Sequence, residues 1–195
     1  MHMRRQTPSQ TIGPFFAYAM TPTAYGRTGI ASNRLTTEAT PGQHIRIVGR
    51  VFDGAGTGVG DAVVEIWQAD ATGRYHHPED DRGALPTESD FSGFGRTDTQ
   101  PDGRFSFETI KPGAIGSREA PHINVIVMAR GMLLHAFTRI YFADEARANA
   151  EDRVLSTVPA GRRDTLIAQP LDNAGASFQF DIRLQGDGET VFFDA

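Results

Sequence analysis

Short apolar segments with β-branched and aromatic residues recur along the chain from residue 44 onward, separated by turn sequences such as ATGR, QPDG and KPG. In residues 177–184, apolar and polar residues strictly alternate, which places one set on each face of a strand. The turn sequences mark where each segment ends. The predicted strands are 44–52, 62–69, 104–110, 122–129, 132–142, 166–171 and 177–184.

Residues 144–155, DEARANAEDRVL, are the one segment with helical composition, because they start with acidic residues and contain no β-branched residue before Val154. No internal repeat or low-complexity stretch interrupts the strand pattern. Several closely spaced strands with one short helix predict an all-β sandwich, which we assign to residues 44–195.

Two segments lack convincing periodicity. Residues 1–43 contain prolines at 8, 14, 22 and 41, and they predict an irregular N-terminal arm that either frays or contacts a partner. Residues 75–95 form a long predicted loop, which is either functional or a cover for one end of the sandwich.

Composition restricts the function. The chain has 195 residues, of which 39% are hydrophobic and 22% charged, as expected for one globular domain. Its net charge of -5 argues against binding to nucleic acid or an anionic membrane. The absence of cysteine excludes thiol nucleophiles and zinc–thiolate sites. No apolar run of signal-peptide length follows the basic start, so the expected location is cytoplasmic.

Common catalytic motifs are missing from the sequence. It contains no HExxH, GxSxG or phosphate-binding GxxxxGK[ST] pattern. The glycine-rich GAGTGVG precedes another predicted strand instead of a helix, so it predicts a hairpin turn and not a dinucleotide site. His122 and His135 lie on neighbouring predicted strands and could meet, although such a pair is more often structural. Trp67 is interpreted as a core residue, and Arg139 and Tyr141 as structural or interfacial.

The segment EAPHINV raises a question about metal binding. His122 and Asn124 are two residues apart and share one face of the predicted strand. A His-x-His pair in this arrangement commonly holds a metal, but the second position here is an asparagine. From the residues alone, the segment is a weak metal site, a lost one, or no site.

Four blocks in order extend this picture: VEIWQADATGRYHH, DFSGFGRTDTQPDGRFSFETIKPG, APHINV and HAFTRIYFADE. Together they resemble the intradiol ring-cleaving dioxygenases over most of residues 44–145. TPSQTIGPFF (7–16) is similar to an N-terminal arm of that family. The resemblance implies a β-sandwich and O₂-dependent ring cleavage at a non-haem Fe(III) held by two tyrosines and two histidines.

The resemblance also implies which ligand positions this chain keeps. Tyr75 and His122 match a family tyrosine and a family histidine. Ile115 stands where the family has the second tyrosine, and Asn124 where it has the second histidine. The expectation is that this chain binds no metal, and that Tyr75 and His122 persist as packing and hydrogen-bonding residues.

Some members of the family consist of two homologous chains, alpha and beta, of which only beta binds iron, and this sequence resembles alpha. The implied partner is an iron-bearing beta subunit, with which this chain would form a hetero-oligomer of alpha–beta units. The two subunits would share a pocket for protocatechuate and O₂. Four residues are expected to bind the substrate: Thr11, Gly13 and Pro14 of the arm, and Arg130. The alternatives are a simple turn in the arm and a solvated turn residue at Arg130.

Two other functions remain open from the sequence. A homomeric catechol or hydroxyquinol dioxygenase would need the missing tyrosine and histidine. A non-enzymatic β-sandwich that binds a sugar or a protein through its loops would have no reason to keep the remnants of a metal site.

Overall fold

The computed structural model describes residues 17–80, 82 and 91–194. Within them the chain forms mainly β-strands, with two short α-helices and four short 3-10 helices. The helices are α1 (Ala17–Met20) and α2 (Ala146–Glu151), and the 3-10 helices are Pro22–Tyr25, Ala143–Glu145, Leu155–Thr157 and Ala160–Leu166. The strands are β1 (His44–Phe52), β2 (Val63–Gln68), β3 (Phe94–Asp98), β4 (Arg104–Ile110), β5 (His122–Met128), β6 (Ala136–Phe142), β7 (Ile167–Pro170), β8 (Ser177–Gln179) and β9 (Ile182–Arg183).

The strands follow one path, β3-β2-β5-β6-β7-β8-β1-β4, and β9 also pairs with β1. Strand β7 lies parallel to β6 and antiparallel to β8, so it joins the two halves of the path. Apolar side chains of the two halves meet in one buried cluster, to which β1 contributes Ile47, β2 Val64 and β5 Val125. Two sheet halves around a shared core confirm the predicted all-β sandwich.

Residues 32–35 of the N-terminal arm lie between β3 and β4, which are the two ends of the strand path. The Arg96 N–H donates to Ser32 O at 3.0 Å, and the Glu108 N–H donates to Asn33 O at 2.8 Å. Leu35 is 6% exposed and belongs to the main core. The segment therefore supplies backbone hydrogen bonds that edge strands otherwise lack. The domain boundary at residue 43 stays a prediction.

Several predicted strands have different bounds in the structure. Strands β1 and β4 have the predicted bounds, whereas β6 begins at Ala136 because residues 130–134 form a turn and bends. Residues 177–184 split into β8 and β9 where β1 comes very close, since a Cβ on Gly49 would lie 1.8 Å from the Phe180 carbonyl oxygen. Strand β3 was not predicted, and its first two residues fall in the predicted loop 75–95.

The predicted helix over 144–155 is wrong at its C-terminal end. Helix α2 ends at Glu151, because Asp152 takes an extended conformation with ψ of 128°. Its carboxylate accepts the N–H groups of Val154 at 2.9 Å and Leu155 at 2.7 Å, which start the next turn. A local side-chain bond thus competes with helix continuation.

The glycine-rich run after β1 is a turn but not a hairpin between β1 and β2. The Val59 N–H returns to Val51 O at 2.8 Å, which closes the turn. Strands β1 and β2 then lie in different halves of the sandwich. Among the described residues, no helix has the length and apolar composition of a transmembrane span.

Candidate functional site

Three polar or aromatic side chains lie side by side on the outer face of β2, β5 and β6. Trp67 is opposite Asn124 in the β2–β5 register, and Asn124 is opposite Arg139 in the β5–β6 register. Residues in such positions have Cβ atoms about 5 Å apart. Trp67 therefore lies outside the main core, and its assignment as a core residue is wrong.

Two turns that approach each other closely place Tyr75 and Ile115 against this row. Gly73 has a φ of 81°, and a Cβ there would lie 2.0 Å from the Ala114 carbonyl oxygen. Only glycine fits such a position without displacing the backbone. The contact is reinforced by the Gly113 N–H, which donates to Asp70 O at 2.9 Å.

Tyr75 closes over the row through two contacts. Its ring stacks on Trp67 with centroids 5.8 Å apart and planes 8° apart. Its hydroxyl oxygen accepts a hydrogen bond from Asn124 Nδ2 at 3.0 Å. The structure thus joins two of the four positions that the resemblance singled out, and they are bonded to each other.

An open cavity of about 580 Å³ lies in front of Tyr75. Arg82 ties its walls together, because it donates to Ile115 O at 3.0 Å and to Gly73 O at 2.8 Å and also pairs with Asp80. The pairing holds the pKa of the Asp80 carboxyl well below its usual range. Among the described residues, the cavity is lined by Trp67, Tyr75, His77, Glu79, Asp80, Arg82 and Ile115.

His122 is 1% exposed and is held by backbone and aromatic contacts. Its Nδ1 donates to Ala120 O at 2.8 Å, and its ring centroid lies 5.8 Å from that of Tyr141. Tyr141 in turn donates to the buried Asp152 carboxylate at 3.1 Å. Asp152 also accepts the Ala120 N–H at 2.8 Å, so hydrogen bonds connect His122 to Tyr141 through Ala120 and Asp152.

Burial favours the neutral form of three side chains in this cluster, Tyr75, His122 and Tyr141. It raises the pKa of Tyr75, although the Asn124 hydrogen bond and the positive charge of Arg139 act in the opposite direction. It lowers the pKa of His122, and the charge of Arg139 lowers it further. Burial also raises the pKa of Tyr141. A neutral phenol and a neutral imidazole are the favoured forms near neutral pH.

Arg139 is the residue of this cluster whose position the sequence did not reveal. It lies opposite Asn124, and its charge acts on both Tyr75 and His122. Its Nε and Nη1 atoms are buried without a hydrogen-bond partner among the described residues. The alternation of β6 puts Arg139 and Tyr141 on one face, but only the strand register places Arg139 beside Asn124 and diagonal to His122.

These residues do not fit a ferric ion. Fe(III) favours anionic oxygen donors, whereas the Tyr75 hydroxyl is occupied by an amide donor and its pKa is raised. Ile115 offers no donor atom, and the guanidinium of Arg139 adds a positive charge to the position. Within the described residues, no three His, Cys, Asp or Glu side chains converge on a possible metal position.

Arg130 lies at the other end of β5, in the turn that precedes β6. Its Nε pairs with Asp61 Oδ2 at 3.0 Å, and its side chain is 66% exposed. Strand β5 has 7 residues, so its two ends, His122 and Met128, lie about 20 Å apart. His135 belongs to this exposed turn, so the possible meeting of His122 with His135 is excluded. Thr11, Gly13 and Pro14 lie outside the described residues.

The sequence matches the dioxygenase family over residues 12–186. It is 51% identical to the protocatechuate 3,4-dioxygenase alpha chain of Burkholderia cepacia, covering 97% of this chain and 98% of that one. Its identity to the alpha chain of the same enzyme from Pseudomonas putida is 44%, covering 97% and 96%. The beta chain of the Burkholderia cepacia enzyme is 35% identical over 76% of this chain and 67% of its own length.

Solved structures show the same fold. The dioxygenase domain of a carbohydrate-binding fusion protein from Streptomyces sp. SirexAA-E has a TM-score of 0.61 and 26% identity, covering 93% of this chain and 99% of that one. Catechol 1,2-dioxygenase from Pseudomonas arvilla C-1 has a TM-score of 0.56 at 24% identity, covering 78% and 55%. The fold, the match over residues 12–186 and the two near-full-length relatives agree, and this chain therefore belongs to the intradiol dioxygenase family.

Proposed function

We propose that this chain is the alpha subunit of a protocatechuate 3,4-dioxygenase and that it does not itself bind iron. With an iron-bearing beta subunit it would cleave protocatechuate with O₂ to 3-carboxy-cis,cis-muconate, in the cytoplasm. One observation carries this proposal: the Asn124 amide bonds to the Tyr75 hydroxyl at 3.0 Å, so two of the four former ligand positions satisfy each other. The near-full-length similarity to two alpha chains supports it.

In this proposal Arg130 recognises the substrate carboxylate. The Asp61 contact engages Nε, and the large exposed fraction lets an external carboxylate reach the terminal nitrogens of the guanidinium. A guanidinium can bind a carboxylate through two parallel hydrogen bonds, which selects substrates that carry that group. Protocatechuate differs from catechol by one carboxylate, so Arg130 would contribute specificity instead of ring chemistry.

The arm residues Thr11, Gly13 and Pro14 complete the proposed substrate contacts. Glycine permits close approach of the backbone to a ligand, and proline fixes the direction of the chain beside it. Their role would be to close the pocket and exclude water around the bound substrate.

The exposed turn beside Arg130 suits burial against the beta subunit. Leu133 and Leu134 are 65% and 67% exposed, and they lie a few residues after Arg130 in the segment that precedes β6. Exposed apolar residues next to a charged group are typical of an interface whose centre is dry and whose rim is polar. Docking there would bring Arg130 to a pocket shared by the two subunits.

Iron stoichiometry of the complex tests this function. We would co-express the chain with an iron-bearing beta subunit, purify the complex, and measure iron per alpha–beta pair together with protocatechuate cleavage. The expected result is one iron per pair, with visible tyrosinate–Fe(III) absorption and cleavage that both depend on the beta subunit. Two irons per pair, or iron and colour in the alpha chain purified by itself, would contradict the proposal.

A further inference from the structure

The Arg139 guanidinium has an unusual position for a charged group. It lies on the outer face of β6, opposite Asn124 and diagonal to His122, and so beside the former ligand positions on β5. Two of its nitrogens are buried without a partner among the described residues. A buried charge of this kind is costly to keep unless the surrounding structure uses it.

We propose that Arg139 is the residue that excludes metal ions from this position, so that restoring the lost ligands would not by itself restore iron binding. The inference rests on the proposed function, in which this chain binds no iron. It goes further because it assigns the exclusion to a cation beside the matched ligand positions, and not only to the loss of two donors.

Arg139 is close enough to influence both surviving ligand positions. Its positive charge lowers the pKa of Tyr75 and of His122, although burial is the larger effect at each. A metal cation bound between Tyr75 and His122 would lie within reach of the same charge. Like charges at such short range repel, and the repulsion grows where partial burial reduces the screening by water.

The acidic groups near the cluster are already engaged. Glu119 and Asp152 both act electrostatically on His122. Glu119 pairs with Arg153, and the Asp152 carboxylate accepts hydrogen bonds from Tyr141 and from backbone N–H groups. Neither carboxylate pairs with Arg139 in the described part of the chain, so its charge stays uncompensated by a direct ion pair.

The test introduces a tyrosine at position 115 and a histidine at position 124, in chains that keep or lack the positive charge at position 139. One variant of the chain carries Ile115→Tyr and Asn124→His with Arg139 kept, and a second carries Arg139→Met as well. A third carries Arg139→Lys in place of Arg139→Met, which retains the positive charge on a side chain of similar length. Each is co-expressed with the beta subunit and incubated with Fe(III), and iron and visible absorption per alpha–beta pair are measured.

We expect one iron per pair while position 139 is charged and two irons per pair, with about twice the absorption, when it is methionine. Two irons per pair with Arg139 kept, or one iron with Arg139→Met in a complex that still cleaves protocatechuate, would overturn the inference. Thermal unfolding and the activity of each complex show whether its alpha subunit is folded. The unsubstituted complex separates the two proposals, since two irons there would contradict the proposed function itself.

Discussion

The two ends of β5 show opposite ways of using polar side chains. At the start of the strand, His122 and Asn124 are bonded within the chain, to Ala120 and to Tyr75. Beyond its other end, Arg130 projects from a turn with 66% of its side chain exposed. The first region resembles the ligand set of an enzyme, but its side chains make contacts within the chain. The second resembles an ordinary surface turn and is proposed to serve the reaction.

The comparison shows why a surviving motif residue is weak evidence for chemistry. The resemblance assigns Tyr75 and His122 to the family's ligand positions, but the Tyr75 hydroxyl is bonded to Asn124 and His122 Nδ1 to the Ala120 carbonyl. Burial favours the neutral form of both side chains. Arg130 matches no general catalytic motif, yet it has charge, exposure and one orienting contact to Asp61. Availability of a functional group to an outside ligand separates the two regions.

The largest expected effect concerns the hydrogen bonds of Asp152, which lie near His122 at the start of β5. Asp152→Ala should destabilise the protein by about 3–5 kcal/mol, because two buried N–H groups, of Ala120 and Leu155, lose their acceptor at about 1–3 kcal/mol each, and the partly buried N–H of Val154 loses it as well. The melting temperature of the complex, at fixed protein concentration, should fall by roughly 6–20 °C. The exposed Asp187→Ala is the matched control, and an equal loss in both variants would show that these hydrogen bonds add nothing special.

The next largest effect concerns Arg130, in the exposed turn after β5. Arg130→Ala should lower kcat/KM for protocatechuate by about 10- to 100-fold, since a hydrogen bond to a charged group contributes about 1.5–3 kcal/mol. Cleavage of catechol, which lacks the carboxylate, should change little. Arg147→Ala, which removes an arginine that is 95% exposed, controls for the loss of one surface charge. An equal loss for both substrates would show that Arg130 does not read the carboxylate.

A smaller effect sharpens the contrast between the two ends. Tyr75→Phe should cost about 1–2 kcal/mol of folding free energy, because the Asn124 amide loses its acceptor. The kcat/KM of the complex for protocatechuate should stay unchanged. Denaturation midpoints and steady-state kinetics on the same preparation check both statements. A large loss of activity without a loss of stability would place Tyr75 in the reaction after all.

The smallest effect is a pH dependence of stability. The pKa of His122 is lower in the folded chain than its unfolded value of about 6.5, so the neutral form is favoured on folding. Stability is therefore fully present above that pH and falls on acidification, by at most about 1.4 kcal/mol per pH unit from this group.

Urea midpoints of the complex at several pH values between about 7.5 and 5.0 would measure this slope. His122→Gln should flatten it, whereas His135→Gln, at an exposed position in the turn before β6, should leave it as it is. Identical slopes in all three proteins would show that His122 does not titrate differently in the folded state.

Local sequence was sufficient for some elements and not for others. Strands β1 and β4 could be predicted to the residue, because their apolar positions alternate between clear turn sequences. Strand β3, FGRTD, has one buried residue and carries a polar face, so its pattern is too weak to be recognised. Its pairing with β2 and the contact with the N-terminal segment give it a place in the sheet.

The candidate site divides in the same way. Its residue types could be read from the sequence, because the blocks around Tyr75, Ile115, His122 and Asn124 are specific in combination. The contact between Tyr75 and Asn124 joins positions that are 49 residues apart, and it depends on the close approach of two turns at Gly73. No local pattern encodes a contact of that kind.

The sequence by itself determined the all-β architecture and the family, since these depend on local periodicity and residue identity. The loss of two ligand positions stays a prediction from the resemblance. The tertiary structure decided what the remaining polar groups do. Strand register placed Arg139 opposite Asn124, and burial decided that Tyr75 and His122 stay neutral. Register and burial arise from contacts between distant segments, so the charge beside the former ligand positions becomes visible only when the strands are paired.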